Sequence, residues 1–198
     1  MKPAIIVVDM LEDSYRVKKA VEREEEKIVP KVRDFLKECR SLSIPVIFAC
    51  DSFLEADFLF KGRFKPCAIR GTPGANVYSE IGQQPTDTIL PKRRLSAFFK
   101  TDLDQTLRTW GINTVAIGGL NTHVCVLATA LDAFSHDFYT IMLEDLMAAH
   151  KKEIHDSTLE NYRHFNVYPL FRVMASGDFL EEFRANSGKE DMRTASID

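Results

Sequence analysis

Short runs of apolar residues alternate along the chain with segments in which apolar positions recur at helical spacing. The runs are apolar at nearly every position, which is typical of strands buried on both faces of a parallel sheet. They predict strands over 4–9, 44–51, 87–92, 113–120, 138–145 and 167–173. The segments of helical period predict helices over 22–41, 103–111, 122–136, about 150–164 and 175–184.

The regular alternation of strands and helices indicates the fold class. Strand–helix–strand units give a parallel sheet covered by helices on both faces, a three-layer α/β/α sandwich of Rossmann-like form. We expect a single domain over 1–185 and a polar, frayed tail over 186–198. Ligands of such sheets bind beyond the carboxyl ends of the strands. The residues that follow the strands are therefore the candidates for chemistry: Asp9, Asp51, Lys92, the turn 118–125 and Asp145.

Composition and charge narrow the classes of function. The chain has 198 residues, of which 45% are hydrophobic and 28% charged, as in a globular protein. Its net charge of −3 provides no field that attracts nucleic acid or an anionic membrane. The longest acidic run, residues 24–26, is interpreted as a solvated helix face. Without a membrane span or an export signal, we expect a cytoplasmic protein whose cysteines (39, 50, 67 and 125) are reduced.

Cys125 is the most distinctive candidate for a nucleophile. It follows a predicted strand in which Gly118 and Gly119 permit a sharp turn, and it falls in the first turn of the next predicted helix. The backbone N–H groups at a helix start favour a thiolate and can also bind an oxyanion. Taken alone, a lone cysteine more commonly has a buried structural role.

Asp9 and Lys92 each end a predicted strand. A carboxylate at the end of a buried strand is costly unless it is paired, although the position of Asp9 also suits a helix cap or a turn. Lys92, taken alone, fits a surface lysine. His123 lies two positions before Cys125 and so points to a different face of the helix. A histidine base is therefore not expected.

Several motifs resemble those of the isochorismatase-like cysteine hydrolases, the group that includes nicotinamidase, N-carbamoylsarcosine amidase and isochorismatase. The similarity extends over roughly residues 3–175 in order and spacing. It is carried by IIVVDM (5–10), IPVIFACDS (44–52), RGTPGANV (70–77), LPKRRLSAFFKTDLDQTLRTWGI (90–112) and VAIGGLNTHVCVLATALDAF (115–134). The resemblance implies a six-stranded parallel sheet and an assembly of two or four identical subunits.

The resemblance also implies which residues act. Its Asp–Lys–Cys triad falls on Asp9, Lys92 and Cys125. The cysteine attacks a carbonyl carbon, the aspartate takes the thiol proton and passes it to the leaving amine, and the lysine stabilises both charges. A cis peptide bond is implied between Leu120 and Asn121, with N–H groups of Asn121 and Cys125 directed at the oxyanion. The implied reaction is hydrolysis of a small amide, ureido or carbamoyl compound.

The chain departs from nicotinamidases at their metal site. Asp51 matches the metal-binding aspartate, but Phe53 and Cys67 stand where that family has histidines. Asp51 and Cys67 alone make a poor zinc site, so we expect no cofactor and no metal. Phe53 becomes a candidate substrate-binding residue together with Leu120 and Asn121. The aromatic stretch 53–64 either lines the pocket, forms a subunit interface or packs as a lid.

Two other functions remain open on the sequence. One is vinyl-ether hydrolysis of the isochorismatase type, which in the family needs no cysteine nucleophile. The other is a non-enzymatic binding protein on the same fold. The intact triad favours the hydrolase, with a small molecule as its substrate and neither nucleic acid nor membrane as a partner. Arg70, Arg93 and Arg94 either bind a substrate carboxylate or belong to the solvated surface.

Overall fold

The computed structural model describes residues 1–16 and 24–194, with side chains described up to residue 186. Six strands form one sheet in which every neighbouring pair is parallel, in the order β3-β2-β1-β4-β5-β6. The strands are β1 (Pro3–Val8), β2 (Val46–Asp51), β3 (Thr88–Lys92), β4 (Thr114–Leu120), β5 (Tyr139–Ala148) and β6 (Phe171–Met174). The predicted fold class is confirmed.

Helices cover both faces of the sheet. They are α1 (Glu12–Tyr15), α2 (Glu24–Lys27), α3 (Val29–Ser41), α4 (Leu103–Thr109), α5 (Leu127–Ser135), α6 (Lys152–Arg163) and α7 (Ser176–Thr194). A π-helical turn spans Thr122–Val126, and 3-10 turns span Phe58–Lys61, Pro73–Ala75 and Ser79–Ile81. None of the described helices is both long enough and apolar enough to cross a membrane.

The hydrophobic core lies in two layers, one on each side of the sheet. In the central strand β1, Ile5 and Val7 pack into one layer, while Ala4, Ile6 and Val8 pack into the other. Successive side chains of a strand point to opposite faces, so a strand covered on both sides must be apolar throughout. This is why the strands appear in the sequence as unbroken apolar runs.

Several element boundaries differ from the predicted ones. The predicted helix 22–41 is divided at Ile28, because Pro30 lacks an N–H group and fits only the first turn of α3; residues 22 and 23 lie outside the described part. Strand β6 begins only at Phe171, since Pro169 cannot donate to a strand ladder. Helix α7 continues to Thr194, so most of the predicted frayed tail is helical, and 195–198 lie outside the described residues.

Gly119 is required by the close approach of β4 to β1. Its φ is +112°, and a Cβ atom there would lie 2.1 Å from the carbonyl oxygen of Val8. We expect Gly119→Ala to lower the free energy of unfolding by about 3 kcal/mol, measured by urea denaturation. Gly177→Ala is the control, because nothing lies within 4 Å of a Cβ at that helical position. Equal stability of the two variants would contradict this account of the glycine.

Candidate active site

The carboxyl ends of β1, β2 and β3 bring together three charged side chains, with the carboxylates of Asp9 and Asp51 on either side of the Lys92 ammonium. Its ammonium donates hydrogen bonds to Asp9 Oδ2 at 2.7 Å, to Asp51 Oδ1 at 2.6 Å and to the carbonyl oxygen of Arg94 at 3.1 Å. The side chain of Lys92 has no exposed surface. An ammonium group has three donors, and all three are used here. The cluster is thus a fully hydrogen-bonded, buried ion triad with one more negative than positive charge when both carboxylates are ionised.

Asp9 is held by both its backbone and its side chain. Its φ of +52° turns the chain out of β1, a conformation that aspartate tolerates better than most residues. Its N–H donates to the carbonyl oxygen of Ala49 at 2.9 Å, and its Oδ1 accepts the N–H of Asp51 at 2.8 Å. Because Oδ2 faces Lys92, the carboxylate orientation is fixed by two donors on two strands.

Cys125 reaches the same edge of the sheet through the turn that follows β4. Its Sγ and one carboxylate oxygen each of Asp9 and Asp51 all lie within 4.8 Å of one another. Thr129 anchors the turn: its Oγ1 donates to the carbonyl oxygen of Cys125 at 2.7 Å and accepts the N–H of Ala97 at 3.0 Å. The first turn is π-helical instead of the predicted α-helix, with the N–H of Val126 donating to the carbonyl oxygen of Asn121.

The resting protonation state of Cys125 differs from the prediction. Burial of the sulfur, followed by the negative charge of Asp9, raises the pKa of the Cys125 thiol above its ordinary value, although Lys92 acts in the opposite direction. The predicted resting thiolate is therefore wrong, because desolvation and two nearby carboxylates outweigh the favourable effect of a helix start. The direction of this pKa shift favours a resting thiol over a thiolate.

The ionisation of Lys92 and Asp51 depends on the arrangement of two buried carboxylates around one ammonium group. Burial lowers the pKa of Lys92, but the carboxylates of Asp9 and Asp51 outweigh this effect and raise the pKa above its ordinary value, so Lys92 stays charged. Burial and the charge of Asp9 raise the pKa of Asp51 from 3.8 to about 7. Asp51 consequently gains a proton at a higher pH than an ordinary aspartate does as the solution is acidified.

This pKa of Asp51 predicts a pH dependence of stability. A carboxyl whose pKa is higher in the folded state binds its proton more tightly there. Its contribution to the free energy of unfolding is therefore fully present below about pH 4 and is lost as the pH rises to about 7. Over that window we expect the free energy of unfolding to fall by roughly 1 kcal/mol per pH unit more in the wild type than in Asp51→Asn, in urea titrations. The exposed Glu55→Gln should keep the wild-type slope; a wild-type slope in Asp51→Asn as well would contradict the assignment.

A cavity of about 420 Å³ lies over Cys125, a size suited to a small molecule. The residues predicted to bind substrate, Phe53, Leu120 and Asn121, all line it, and the Leu120–Asn121 peptide bond is cis as the resemblance implied. Within the aromatic stretch, Phe53 packs edge-on against Phe60 and Phe64, whose rings stack at 5.7 Å. Seven of the sixteen lining residues have large apolar side chains: Leu11, Phe53, Leu59, Phe64, Leu95, Leu120 and Val124.

The three candidate arginines do not line this cavity. Arg93 and Arg94 form ion pairs with Asp57, and Arg70 donates to the hydroxyl oxygen of Ser52 at 3.1 Å. All three arginines line a separate cavity of about 280 Å³. In the described part of the chain, no arginine or lysine side chain lines the cavity over Cys125.

Asp145 and His123 also lie away from the catalytic cavity lining. The structure places Asp145 inside β5, where its carboxylate accepts hydrogen bonds from the N–H and the hydroxyl of Ser176, both at 2.8 Å, at the start of α7. The expectation that it follows a strand end is therefore wrong. The ring of His123 lies 5.8 Å from that of His150. That His123 is not the base stays a prediction.

Two acidic cavity residues, Asp13 and Glu25, were missed by the sequence reasoning. Asp13 Oδ2 accepts the N–H of Ala68 at 2.8 Å, and a Cβ at Gly74 would lie 2.2 Å from that same oxygen. Gly74, the second glycine of the GTPG motif, thus leaves room for Asp13. Glu25 was assigned to a solvated face, yet it is half-buried and lines the cavity. A signal was present, because it precedes the buried Ile28 and Val29 by three and four positions.

The residues at the nicotinamidase-type metal position fit zinc poorly. Asp51 already accepts a hydrogen bond from Lys92, and burial raises the pKa of the Cys67 thiol to about 11, which disfavours the thiolate that zinc requires. Asp9, Asp51 and Cys125 are close enough to surround an ion, but the ammonium of Lys92 lies against both carboxylates and would repel one. The donor set therefore does not fit a resident metal.

The chain is similar in sequence to known amidohydrolases. A ureidoacrylate amidohydrolase from Variovorax paradoxus is 38% identical over 106 residues, which cover 53% of this chain and 40% of that enzyme. The chain thus matches less than half the length of this and three further ureidoacrylate amidohydrolases, of which it covers 28% to 33%.

Solved structures share the whole fold. An isochorismatase-like hydrolase from Alkaliphilus metalliredigens superposes with a TM-score of 0.83 at 30% identity, covering 92% of this chain and all (100%) of that one. An N-carbamoylsarcosine amidase from Thermoplasma acidophilum gives a TM-score of 0.76 at 31% identity, covering 89% and 97% of the two chains. Residues 3–171 match the family model of the isochorismatase domain. The chain belongs to the isochorismatase family of hydrolases.

Proposed function

We propose that this protein is a cysteine-dependent amidohydrolase that cleaves the C–N bond of a small amide, ureido or carbamoyl compound through a thioester on Cys125. The observation that carries the proposal is the buried Asp9–Lys92–Asp51 triad with the Cys125 sulfur within 4.8 Å of both carboxylates, beneath a cavity of small-molecule size. The similarity to a ureidoacrylate amidohydrolase and to an N-carbamoylsarcosine amidase supports the same class of reaction.

In the first half-reaction, the Cys125 sulfur attacks the carbonyl carbon while its proton passes to the carboxylate of Asp9. The two events are coupled, because a free thiolate beside two carboxylates is unfavourable and the raised pKa of Cys125 keeps the proton on sulfur until a C–S bond forms. The tetrahedral intermediate then collapses. The C–N bond breaks, Asp9 returns the proton to the leaving nitrogen, and the amine departs from a thioester.

In the second half-reaction, water attacks the thioester carbonyl and gives a proton to Asp9. The C–S bond breaks, the acid product is released, and Asp9 returns the proton to the sulfur. The balance is one amide and one water consumed, with one acid and one amine formed. Asp9 starts and ends as a carboxylate, which agrees with its fixed orientation between the Asp51 N–H and Lys92.

Lys92 serves this cycle as a positioning residue. Its three donors are taken by Asp9, Asp51 and the carbonyl oxygen of Arg94, so none is left for the substrate. It keeps the Asp9 carboxylate ionised and oriented while that group is not carrying the proton. Asp51 forms the second ion pair with the ammonium, and the backbone N–H of Asp51 donates a hydrogen bond to the carboxylate of Asp9.

The proposal is tested with a panel of small amides, ureides and carbamoyl compounds assayed with and without hydroxylamine. A thioester partitions between water and hydroxylamine, so we expect the corresponding hydroxamate or hydroxyurea to replace part of the acid product while amine release continues. Turnover that yields no hydroxylamine product at any concentration would contradict the thioester. Isochorismate is included as well, because its turnover by Cys125→Ala would favour the vinyl-ether alternative.

A further inference from the structure

One oxygen in the wall of the catalytic cavity has no partner. Glu25 of α2 lines the cavity, and its Oε2 is buried without a hydrogen-bond donor in the described part of the chain. The backbone there is fixed, since the hydroxyl of Tyr15 donates to the carbonyl oxygen of Glu25 at 3.3 Å and the Tyr15 ring stacks on Tyr78 at 4.2 Å. A carboxylate oxygen removed from water without a donor is energetically costly until a ligand supplies one.

The other carboxylates of the cavity have their partners. Asp9 and Asp51 share the ammonium of Lys92, and Asp13 accepts the N–H of Ala68. Glu25 is therefore the carboxylate of the described wall that has an oxygen without a donor. No arginine or lysine side chain is among the described lining residues, so the described lining carries net negative charge. An anionic substrate group would meet repulsion there, and a cationic one attraction.

We propose that Glu25 is a specificity-determining residue that binds a cationic group at the end of the substrate away from the scissile bond. This inference rests on the proposed function and names its substrate class: small amides, ureides or carbamoyl compounds that carry an amine or guanidine. The apolar wall of Leu11, Phe53, Leu59 and Val124 suits the carbon chain between the two ends. Ureidoacrylate, a carboxylate by its name, should accordingly be a poor substrate.

The test compares three aliphatic primary amides of matched length that end in an ammonium, a methyl or a carboxylate group. We expect wild-type kcat/KM to be at least tenfold higher for the ammonium-ended amide than for the methyl-ended one, and lowest for the carboxylate-ended one. Glu25→Gln should abolish the preference for ammonium, through a higher KM for the ammonium-ended amide. Glu25→Lys should invert the order of the charged amides.

The matched control is Glu24→Gln in the same helical turn. Glu24 pairs with Lys27 and does not line the cavity, so this variant should keep the wild-type order. A binding measurement separates failure of the inference from failure of the hydrolase proposal. By calorimetry, Cys125→Ala should bind the ammonium-ended amide at least tenfold more tightly than the Cys125→Ala/Glu25→Gln double variant does, whether or not the wild type hydrolyses it.

Two outcomes overturn the inference. The first is turnover of the panel without a charge preference, or with a preference for the carboxylate-ended amide that Glu25→Gln does not change. This outcome would contradict the role of Glu25 but not the hydrolase proposal. The second is equal affinity of the single and double variants, or no binding by either, in folded protein verified by circular dichroism. Glu25-dependent binding without hydrolysis would support Glu25 as the cation site and count against the proposed reaction alone.

Discussion

Replacing Cys125 with alanine is expected to lower kcat for amide hydrolysis by roughly 10⁴-fold or more, because the variant cannot form the C–S bond on which both half-reactions depend. The fold should persist, since the change removes one sulfur atom from a residue that already borders a cavity. Cys125→Ser should lose nearly as much activity, because a hydroxyl beside Asp9 is harder to deprotonate than a thiol. Initial rates of amine release measure the effect.

Cys67→Ala is the matched control for this experiment. Cys67 is a second free thiol in the same cavity wall, half-buried, but it follows no helix start and is not among the residues clustered around Lys92. We expect its kcat to stay within about threefold of the wild type. A large loss of activity in Cys67→Ala, together with retained activity in Cys125→Ala, would show that Cys125 is not the nucleophile.

Replacing Lys92 with methionine is expected to lower the free energy of unfolding by about 3–5 kcal/mol at neutral pH. Methionine fills much of the same volume but leaves Asp9 and Asp51 buried beside each other without the cation that both contact. The loss should shrink as the solution is acidified, because a protonated Asp51 removes the repulsion. Amine release should fall together with stability, since the orientation of Asp9 depends on the same ammonium.

The double variant Lys92→Met/Asp51→Asn keeps this prediction testable even where the single variant folds poorly. Removing the second carboxylate should restore at least about 1 kcal/mol of the free energy of unfolding that Lys92→Met loses. Lys100→Met, at an exposed position, is the control and should change the free energy of unfolding by about 0.5 kcal/mol or less. Equal stability of Lys92→Met and Lys100→Met would refute the buried ion triad.

The alternation of strands and helices predicted that Asp9, Asp51 and Lys92 lie at one edge of the sheet, whereas only the family resemblance implied that Asp9 and Lys92 act together. Parallel strands place their carboxyl ends at one edge, so polar residues that follow unbroken apolar runs converge there. The same rule failed at Asp145, because β5 continues beyond it. The register between β4 and β5 shifts after Ile117, which accommodates extra residues in β5, and the strand then resumes pairing at Met147. No local pattern distinguishes such an irregularity from a strand end.

The ionisation of Cys125 and the position of Glu25 beside a cavity could not be predicted, for a common physical reason. A helix start is visible in the sequence and favours a thiolate, whereas burial and the charges of Asp9 and Asp51 arise only when distant strands assemble. Likewise, three successive glutamates resemble a solvated face until the cavity closes over one of them. The cytoplasmic location, the homo-oligomer and the absence of a cofactor stay predictions.

The most direct test of the central claim is peptide mapping by mass spectrometry of protein quenched in acid during turnover of the best amide. The account predicts that the peptide containing Cys125 gains the mass of the acyl group, and that the Cys67 peptide does not. Steady turnover with an unmodified Cys125 peptide at every quench time, combined with wild-type rates in Cys125→Ala, would contradict the thioester and with it the assigned chemistry of the site.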